Sequence, residues 1–515
     1  MTPAKSIWTR STPIDDKVLI RWFQSEYPNI VFLNFKVHGR IPTQVKKFKK
    51  EILKLKSDSE LTFQKDQLLK IWDLLIGCAI VYLKSKDARE THHDDEDYGV
   101  SNLSKFFKAF TDFESVFYGA DNHYRDHVSH MFRVFFLGEL LLREKKLFPK
   151  IKIGDSLLDE KFEISDKEKE AMWCIIALTH DLGYGMKLVP KINSKTRSML
   201  EKFDIFDIHE LGFSFPNQPF NEFVITFASS DLIELKEKTD EKMGNENLSQ
   251  KQVSKKKIPQ EDRRKYINHT QSKYLLKFSR SFDHFSHGIF SSILLVKNCI
   301  YFLESDFSLN PSKPLNQLDA RNFLIRQTIL RSIASHDCDE IYYLTLPQFP
   351  FLLRIMDEMQ DWGRPGLSDL FKHKPVVDLY VEQLDATNIS YKCIYHNNQK
   401  APLEKKDKKE FESIIKEEFI RKCEIFRKIL RSAVGGGLRS LVLTFSLEDQ
   451  ITEPVKERVK YTFIHTNPKD VKVQIKKDNT IKILPWNQFV EGEESNKEKD
   501  QHLHESLTRI LRSMQ

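Results

Sequence analysis

The sequence predicts a mainly α-helical protein: a helical bundle over the middle of the chain and a smaller α+β domain at the C-terminal end. Three observations carry this. Phe is frequent (38) and Gly scarce (17) among 515 residues, a balance that favours long packed helices over a turn-rich β architecture. Between residues 101 and 372, apolar residues recur in long runs of helical period. Beyond residue 373 the pattern shifts to short alternating segments that read as strands.

Taken in order, residues 1–100 form an N-terminal helical extension with patterns around 18–23 and 66–84. The second of these, DQLLKIWDLLIGCAIVYLK, is apolar enough to be buried. The run THHDDED at 91–97 has the residue types of a metal site but no apolar scaffold to fix them, so it reads as an exposed loop. Residues 101–372 make the main domain, in which 232–264 is expected to be a mobile insertion. Its KEKTDEKMGNENLSQKQVSKKKIPQEDRR lacks the apolar residues that would offset ordering.

Residues 373–515 form the α+β domain. VVDLYVEQLD, ISYKCIYHN, LRSLVLTFSL, VKYTFIHT, VKVQIKK and TIKILPW read as strands, with an amphipathic helix over 408–433. Gly435-Gly436-Gly437 follows that helix and precedes a strand. A helix C-cap explains it better than a phosphate loop, which would precede a helix.

Charge and cysteine content narrow the function classes. The 81 basic and 74 acidic residues leave a net +7, which permits an anionic substrate but marks out no nucleic-acid groove. The six Cys include no C-x-x-C pair and read as small buried hydrophobes in a reducing compartment. The N-terminus carries no signal-peptide core. The longest apolar stretch, 288–303, is interrupted by Ser291, Ser292, Lys297 and Asn298, too short and too polar to span a bilayer. A soluble, cytoplasmic protein is expected.

Six candidate metal ligands lie in or at the end of apolar helical segments: His130, the adjacent pair His180-Asp181, His287, His336 and Asp357. Burying such groups is costly unless they are bonded, paired or bound to a metal. In YRDHVSHMFRVFFLGELLLR, His127, His130, Val134, Leu137 and Leu141 share a stripe, with His130 toward the core and His127 toward a pocket mouth. The helix EAMWCIIALTHDLGYG is apolar nearly all round and ends at His180-Asp181, the strongest single motif. In DHFSHGIFSSILL, His287 precedes Gly288, which permits close backbone approach, and His284 lies one turn earlier. In RNFLIRQTILRSIASHDCDE, His336 sits at a helix end, and Asp337 either orients an imidazole or forms a turn. In PFLLRIMDEMQDWGRP, Asp357 shares a face with Leu353, and Asp361 is the alternative inward residue.

This order of H, HD, H, H and D on successive helices resembles the HD-domain superfamily of metal-dependent phosphohydrolases, and is most similar to the HD-CE branch of bacterial conflict systems. YRDHVSHMFRVFFLG, THDLGYG, SHGIFSSILL, IASHD and FLLRIMDEMQDWGRP carry the resemblance, over roughly residues 105–370. It implies an HD-type helical bundle in which His130, His180, Asp181, His287, His336 and Asp357 hold two divalent ions (Mn, Fe, Co, Ni, Mg or Zn), with Asp181 bridging. It implies a hydroxide between the metals attacking a phosphoester of a nucleotide, cyclic nucleotide or nucleic acid. His284, Lys187, Arg125 and Arg364 become candidates for binding anionic oxygens or assisting proton transfer. The residue after Asp181-Leu182-Gly183 is Tyr184 where HD-GYP proteins carry Lys, so cyclic-dinucleotide specificity does not transfer.

Two other functions share this pattern. HD-fold di-iron oxygenases use the same ligand order. A metal-stabilised sensor, binding a protein partner such as an Hsp90-like ATPase in antiviral defence, needs no catalysis at all.

Overall fold

The computed structural model describes residues 11–36, 40–86, 97–120, 126–153, 162–203, 218–235, 264–303, 309, 312–338, 347–363, 376–385, 387–396, 405–432, 440–449, 456–467, 470–477 and 480–490. The protein is mainly helical, with its larger sheet near the C-terminus. It divides into two compact units. One comprises Met1–Trp22, Tyr342–Leu346 and Asp357–Gln515, and the other Phe23–Ile341 and Pro347–Met356.

Among the described residues, the helices before the large sheet are α1 (Asp16–Glu26), α2 (Thr43–Ile52), α3 (Lys65–Lys84), α4 (Val100–Ala120), α5 (Val128–Glu144), α6 (Asp166–Thr179), α7 (Tyr184–Leu200), α8 (Gln218–Ser229), α9 (Ser272–Asp283), α10 (His287–Asn298), α11 (Gln317–His336) and α12 (Phe349–Met359).

Helix α6 is the axis of the second unit. Ser165 starts it with a capping box: the Ser165 amide donates to Glu168 Oε2 (2.8 Å), and the Glu168 amide donates to Ser165 Oγ (3.4 Å). Every residue from Glu168 to Thr179 is buried, because α3, α5 and α11 all pack against it. Two indoles tie these helices together. Trp72 of α3 donates to the Leu178 carbonyl (2.7 Å) and stacks on Phe107 of α4, and Trp173 donates to the Phe135 carbonyl of α5 (3.3 Å). Burying one such aromatic contributes roughly 1.5–3 kcal/mol.

Strands β1 (Ser230–Leu235) and β2 (Lys265–Thr270) pair antiparallel. Strand β1 overlaps the first four residues, 232–235, of the stretch expected to be a mobile insertion, and β2 begins just past its end. Both show a short alternation: Leu232 and Tyr266 turn inward, and the Tyr266 ring packs against Phe162 at 5.1 Å. Residues 236–263 lie outside the described residues.

In the other unit, β3 (Val376–Leu384), β4 (Asn388–His396), β5 (Ser440–Asp449), β6 (Lys456–Asn467), β7 (Asp470–Lys477) and β8 (Thr480–Pro485) form one sheet in sequence order. All pairs are antiparallel except β4–β5. A parallel pair needs a crossover, and α13 (Lys405–Ser432) provides it. Ile415, Phe419, Cys423 and Phe426 recur at helical spacing on α13 and are buried, with Phe419 stacked on Tyr461 and Phe426 against Tyr391. Among the described residues, no helix is long and apolar enough to cross a membrane.

Candidate metal centre

Four imidazoles and one carboxylate meet where α5, α6, α10 and α11 converge. Asp181 Oδ2 lies 3.6 Å from His130 Nε2 and 3.4 Å from His180 Nε2. Its other oxygen, Oδ1, lies 3.1 Å from His287 Nε2 and 3.5 Å from His336 Nε2. One carboxylate thus serves two histidine pairs, one pair per oxygen. The ligand atoms of each trio lie within 4.8 Å of one another, and all five residues are buried. That spread is close to what metal–nitrogen and metal–oxygen bonds of about 2.1 Å span. These buried groups could hold a metal ion.

The ring tautomers fit a cation. His180 Nδ1 lies 2.9 Å from the Ala177 carbonyl and His336 Nδ1 lies 2.6 Å from the Ile333 carbonyl. A carbonyl only accepts, so both nitrogens are N–H donors. His287 Nδ1 lies 2.6 Å from Asp337 Oδ2, and the His287 amide donates to the same oxygen (2.9 Å). In neutral rings, all three Nε2 atoms therefore present lone pairs toward Asp181. Lone pairs turned on a carboxylate repel unless positive charge lies among them.

Charge at the site responds accordingly. Burial alone would raise the Asp181 pKa, but the His180 charge and the contacts from His287 and His336 outweigh it and hold the carboxyl well below its usual range. Burial opposes charge on His287, yet the Asp337 and Asp181 carboxylates overcome it and push that ring up to about 9. Asp337, despite burial, is held low by the facing His287.

The local backbone explains how distant segments meet. After Thr179 the chain leaves α6 through a turn at 180–183, and Ser291 of α10 clamps that turn. Its hydroxyl accepts from the Gly183 amide (2.7 Å) and donates to the His180 carbonyl (2.6 Å). A Cβ on Gly183 would fall 2.3 Å from the His287 carbonyl oxygen, and one on Gly288 would fall 2.6 Å from that of Ile333. These two positions accept only glycine without displacement, and the absence of side chains lets α10 settle against both the turn and the end of α11.

Beside these ligands lie His127 and Tyr184. His127 is buried and its ring lies against that of Tyr184, tilted by 32° with centroids 3.7 Å apart, and the Tyr184 ring lies 5.2 Å from that of His287. The His127 amide donates to Glu114 Oε1 (2.9 Å), Glu114 pairs with Lys65, and Lys65 lies 3.1 Å from Asp126. Sequence spacing gave no sign of the Lys65–Glu114–Asp126 clamp, whose members come from three separate segments.

The remaining candidates stand as follows. Lys187 is exposed, 3.8 Å from Asp337 Oδ1. His284 is exposed, and its Nδ1 bonds the Arg280 carbonyl at 2.8 Å, at the end of α9. Asp357 joins neither ligand group: it is half-buried, whereas Leu353, Ile355, Met356 and Met359 carry the buried face of α12. Asp361 is no substitute, because it is paired with the buried Lys422 at 3.0 Å. Arg125, Arg364 and the 91–96 part of the acidic run lie outside the described residues. Comparison of this chain with protein-family models, with curated proteins and with solved structures returned no match.

Proposed function

We propose that this protein is a two-metal phosphohydrolase of HD type, cleaving a phosphoester of a nucleotide, cyclic nucleotide or nucleic acid. The observation that supports this most directly is the division of the Asp181 carboxylate, with Oδ2 facing His130 and His180 and Oδ1 facing His287 and His336. When bound, two divalent ions (Mn, Fe, Co, Ni, Mg or Zn) would supply Lewis acidity and lower the pKa of water at the site. Asp181 bridges the two halves and holds them at a fixed separation. Asp337 fixes the tautomer and tilt of His287 from behind. Ser291 and Gly183 hold the turn that carries His180 and Asp181. Lys187, exposed and 3.8 Å from Asp337, would meet a non-bridging phosphoryl oxygen.

The test is metal analysis of anaerobically purified protein together with a hydrolysis screen over nucleotides, cyclic dinucleotides and oligonucleotides. Two metals per chain and phosphoester cleavage, both lost in Asp181→Ala, are expected. Two irons with oxygen uptake and no cleaved ester would replace this reading with an oxygenase. Protein that takes up no metal would end both.

A further inference from the structure

Helix α5 carries His130 in its first turn, and that turn is held partly from outside the helix. A helix start leaves its first amides without partners inside the helix. Here Asp126 Oδ1 accepts from the Ser129 amide (2.8 Å), and Glu114 Oε1 of α4 accepts from the His127 amide (2.9 Å). The other oxygen of each carboxylate faces one ammonium. Lys65, the first residue of α3, pairs with Glu114 Oε2 and lies 3.1 Å from Asp126 Oδ2. In the short turn just before it, Leu61–Gln64, Thr62 Oγ1 accepts from the buried Arg133 (3.1 Å). The segment 61–65 thus grips the chain on either side of His130, at Asp126 and at Arg133.

This grip is made of charges that are expensive to bury. The side chains of Glu114 and Asp126 are 2% and 0% exposed, and that of Lys65 29%. Burial opposes charge on Lys65, yet Asp126 and Glu114 outweigh it and raise its pKa, so the ammonium keeps its proton. Apolar side chains of similar volume often hold helices together as well as a buried ion pair does, or better. Cohesion of α3, α4 and α5 therefore does not account for the clamp. Apolar packing lacks direction and tolerates a small slide or rotation, whereas two amides bonded to fixed oxygens do not. A slip of one residue at the start of α5 would swing His130 by about 100° around the helix axis. His130 Nε2 would then leave Asp181 Oδ2, from which it lies 3.6 Å. The other ligands have holds of their own: Ser291 on the turn of His180 and Asp181, Asp337 on His287, and the Ile333 carbonyl on His336.

We propose that Lys65 is a positioning residue of the candidate metal centre: through Asp126 and Glu114 it sets the start of α5, and so governs the His130–His180 half of the centre but not the His287–His336 half. This rests on the two-ion centre of the proposed function but on no step of its chemistry. Lys65→Met is compared with the parent and with Lys65→Arg, on the full-length chain, in two measurements. Hydrogen exchange in EDTA, followed by mass spectrometry, reads the clamp without metal: Lys65→Met should exchange faster over 126–133 but not over α10. Mn(II) titration followed by electron paramagnetic resonance reads the centre. The parent should take up two ions and show a coupled pair. Lys65→Met should bind one of them about 10- to 100-fold more weakly and show the isolated-ion spectrum of His130→Ala. Lys65→Arg keeps the charge and should restore both the pair and the protection. If Lys65→Met does not fold, Asp126→Asn is read in the same way, since it keeps an acceptor for the Ser129 amide and loses the charge facing Lys65. Two ions bound with the parent's affinity in Lys65→Met would overturn the proposal. So would equal weakening of both ions, or a Lys65→Arg variant that fails as Lys65→Met does. A parent that takes up no metal would end the proposed function and leave Lys65 a structural role only. Two ions bound in a lysine-dependent way by a protein that cleaves no phosphoester would sink the hydrolase alone.

Discussion

His287 and His336 bring their Nε2 atoms to within 2.9 Å of each other. The Nδ1 of each ring is already engaged, by Asp337 and by the Ile333 carbonyl respectively. Two neutral rings would therefore meet lone pair to lone pair. A proton on one ring removes the conflict, and so does a cation bound by both. The two solutions compete, and this ties metal loading to pH.

The metal-free protein should be most stable on the acid side of this competition. The folded-state pKa of His287, about 9, lies above the roughly 6.5 of an unperturbed imidazole. Its contribution to stability is thus fully present below about pH 6.5 and is lost as pH rises through about 9. Thermal melts in EDTA should show Tm falling between pH 6.5 and pH 9.5. Asp337→Asn, which removes the carboxylate facing His287 Nδ1, should flatten that profile. It should also weaken metal binding about 10- to 100-fold in competition with a chromophoric chelator. A variant with the parent's pH profile and the parent's metal affinity would show that Asp337 does not govern the ring.

Gly288→Ala tests how the pair is brought together. The added Cβ would sit 2.6 Å from the Ile333 carbonyl oxygen and 3.0 Å from His336 Nδ1, so α10 must retreat from α11. Overpacking of this kind costs about 1–3 kcal/mol. The retreat also separates the two Nε2 atoms, so metal occupancy should fall along with the denaturation midpoint. Gly119→Ala is the control: among the described residues, nothing beyond its own helix meets a Cβ there, and α4 should gain slightly. Equal behaviour of the two variants would remove the close approach from the account.

The parts of the site that could be read from sequence are those where a costly residue interrupts an apolar run. His180 and Asp181 close a helix with no polar face, and His130, His287 and His336 each sit in a run that would otherwise be core. Asp357 carried the same signal, and it is not among the residues of either ligand group. Its neighbours in the chain are apolar, but the buried face of α12 runs through Leu353, Ile355, Met356 and Met359, leaving Asp357 half-exposed. Periodicity over one short helix does not fix which of two adjacent positions turns inward. Three-residue spacing of His284 to His287 presumes one helix, whereas the chain breaks between α9 and α10 with Phe285 at a φ of 54°. Ser291 read only as a polar interruption of an apolar stretch. Its partners lie more than a hundred residues earlier, in a turn that no local pattern connects to it. The strands and crossover helix of the C-terminal unit were legible because period-two alternation and a long amphipathic segment are local signals.

One charge in the helical core takes no part in the proposed chemistry. Glu139 of α5 is completely buried. Burial pushes its carboxyl up to about 8. Arg143, 3.5 Å away, opposes that rise, while Glu170, which pairs with the same guanidinium at 2.9 Å, reinforces it. One arginine faces two carboxylates, so one of the two is better protonated. A carboxyl whose folded pKa is raised retains a proton that the unfolded chain has already released. Stability therefore declines as pH climbs from the unfolded value of about 4.3 toward 8, and levels off above it. Glu139→Gln keeps the size, removes the titration and leaves Arg143 paired with Glu170. At pH 8.5 the variant should be more stable than the parent by at least about 1 kcal/mol, and near pH 5 the difference should largely vanish. Urea unfolding at the two pH values reads this directly. A variant less stable at pH 8.5 would mean that the ionised Glu139 contributes more through Arg143 than its burial costs.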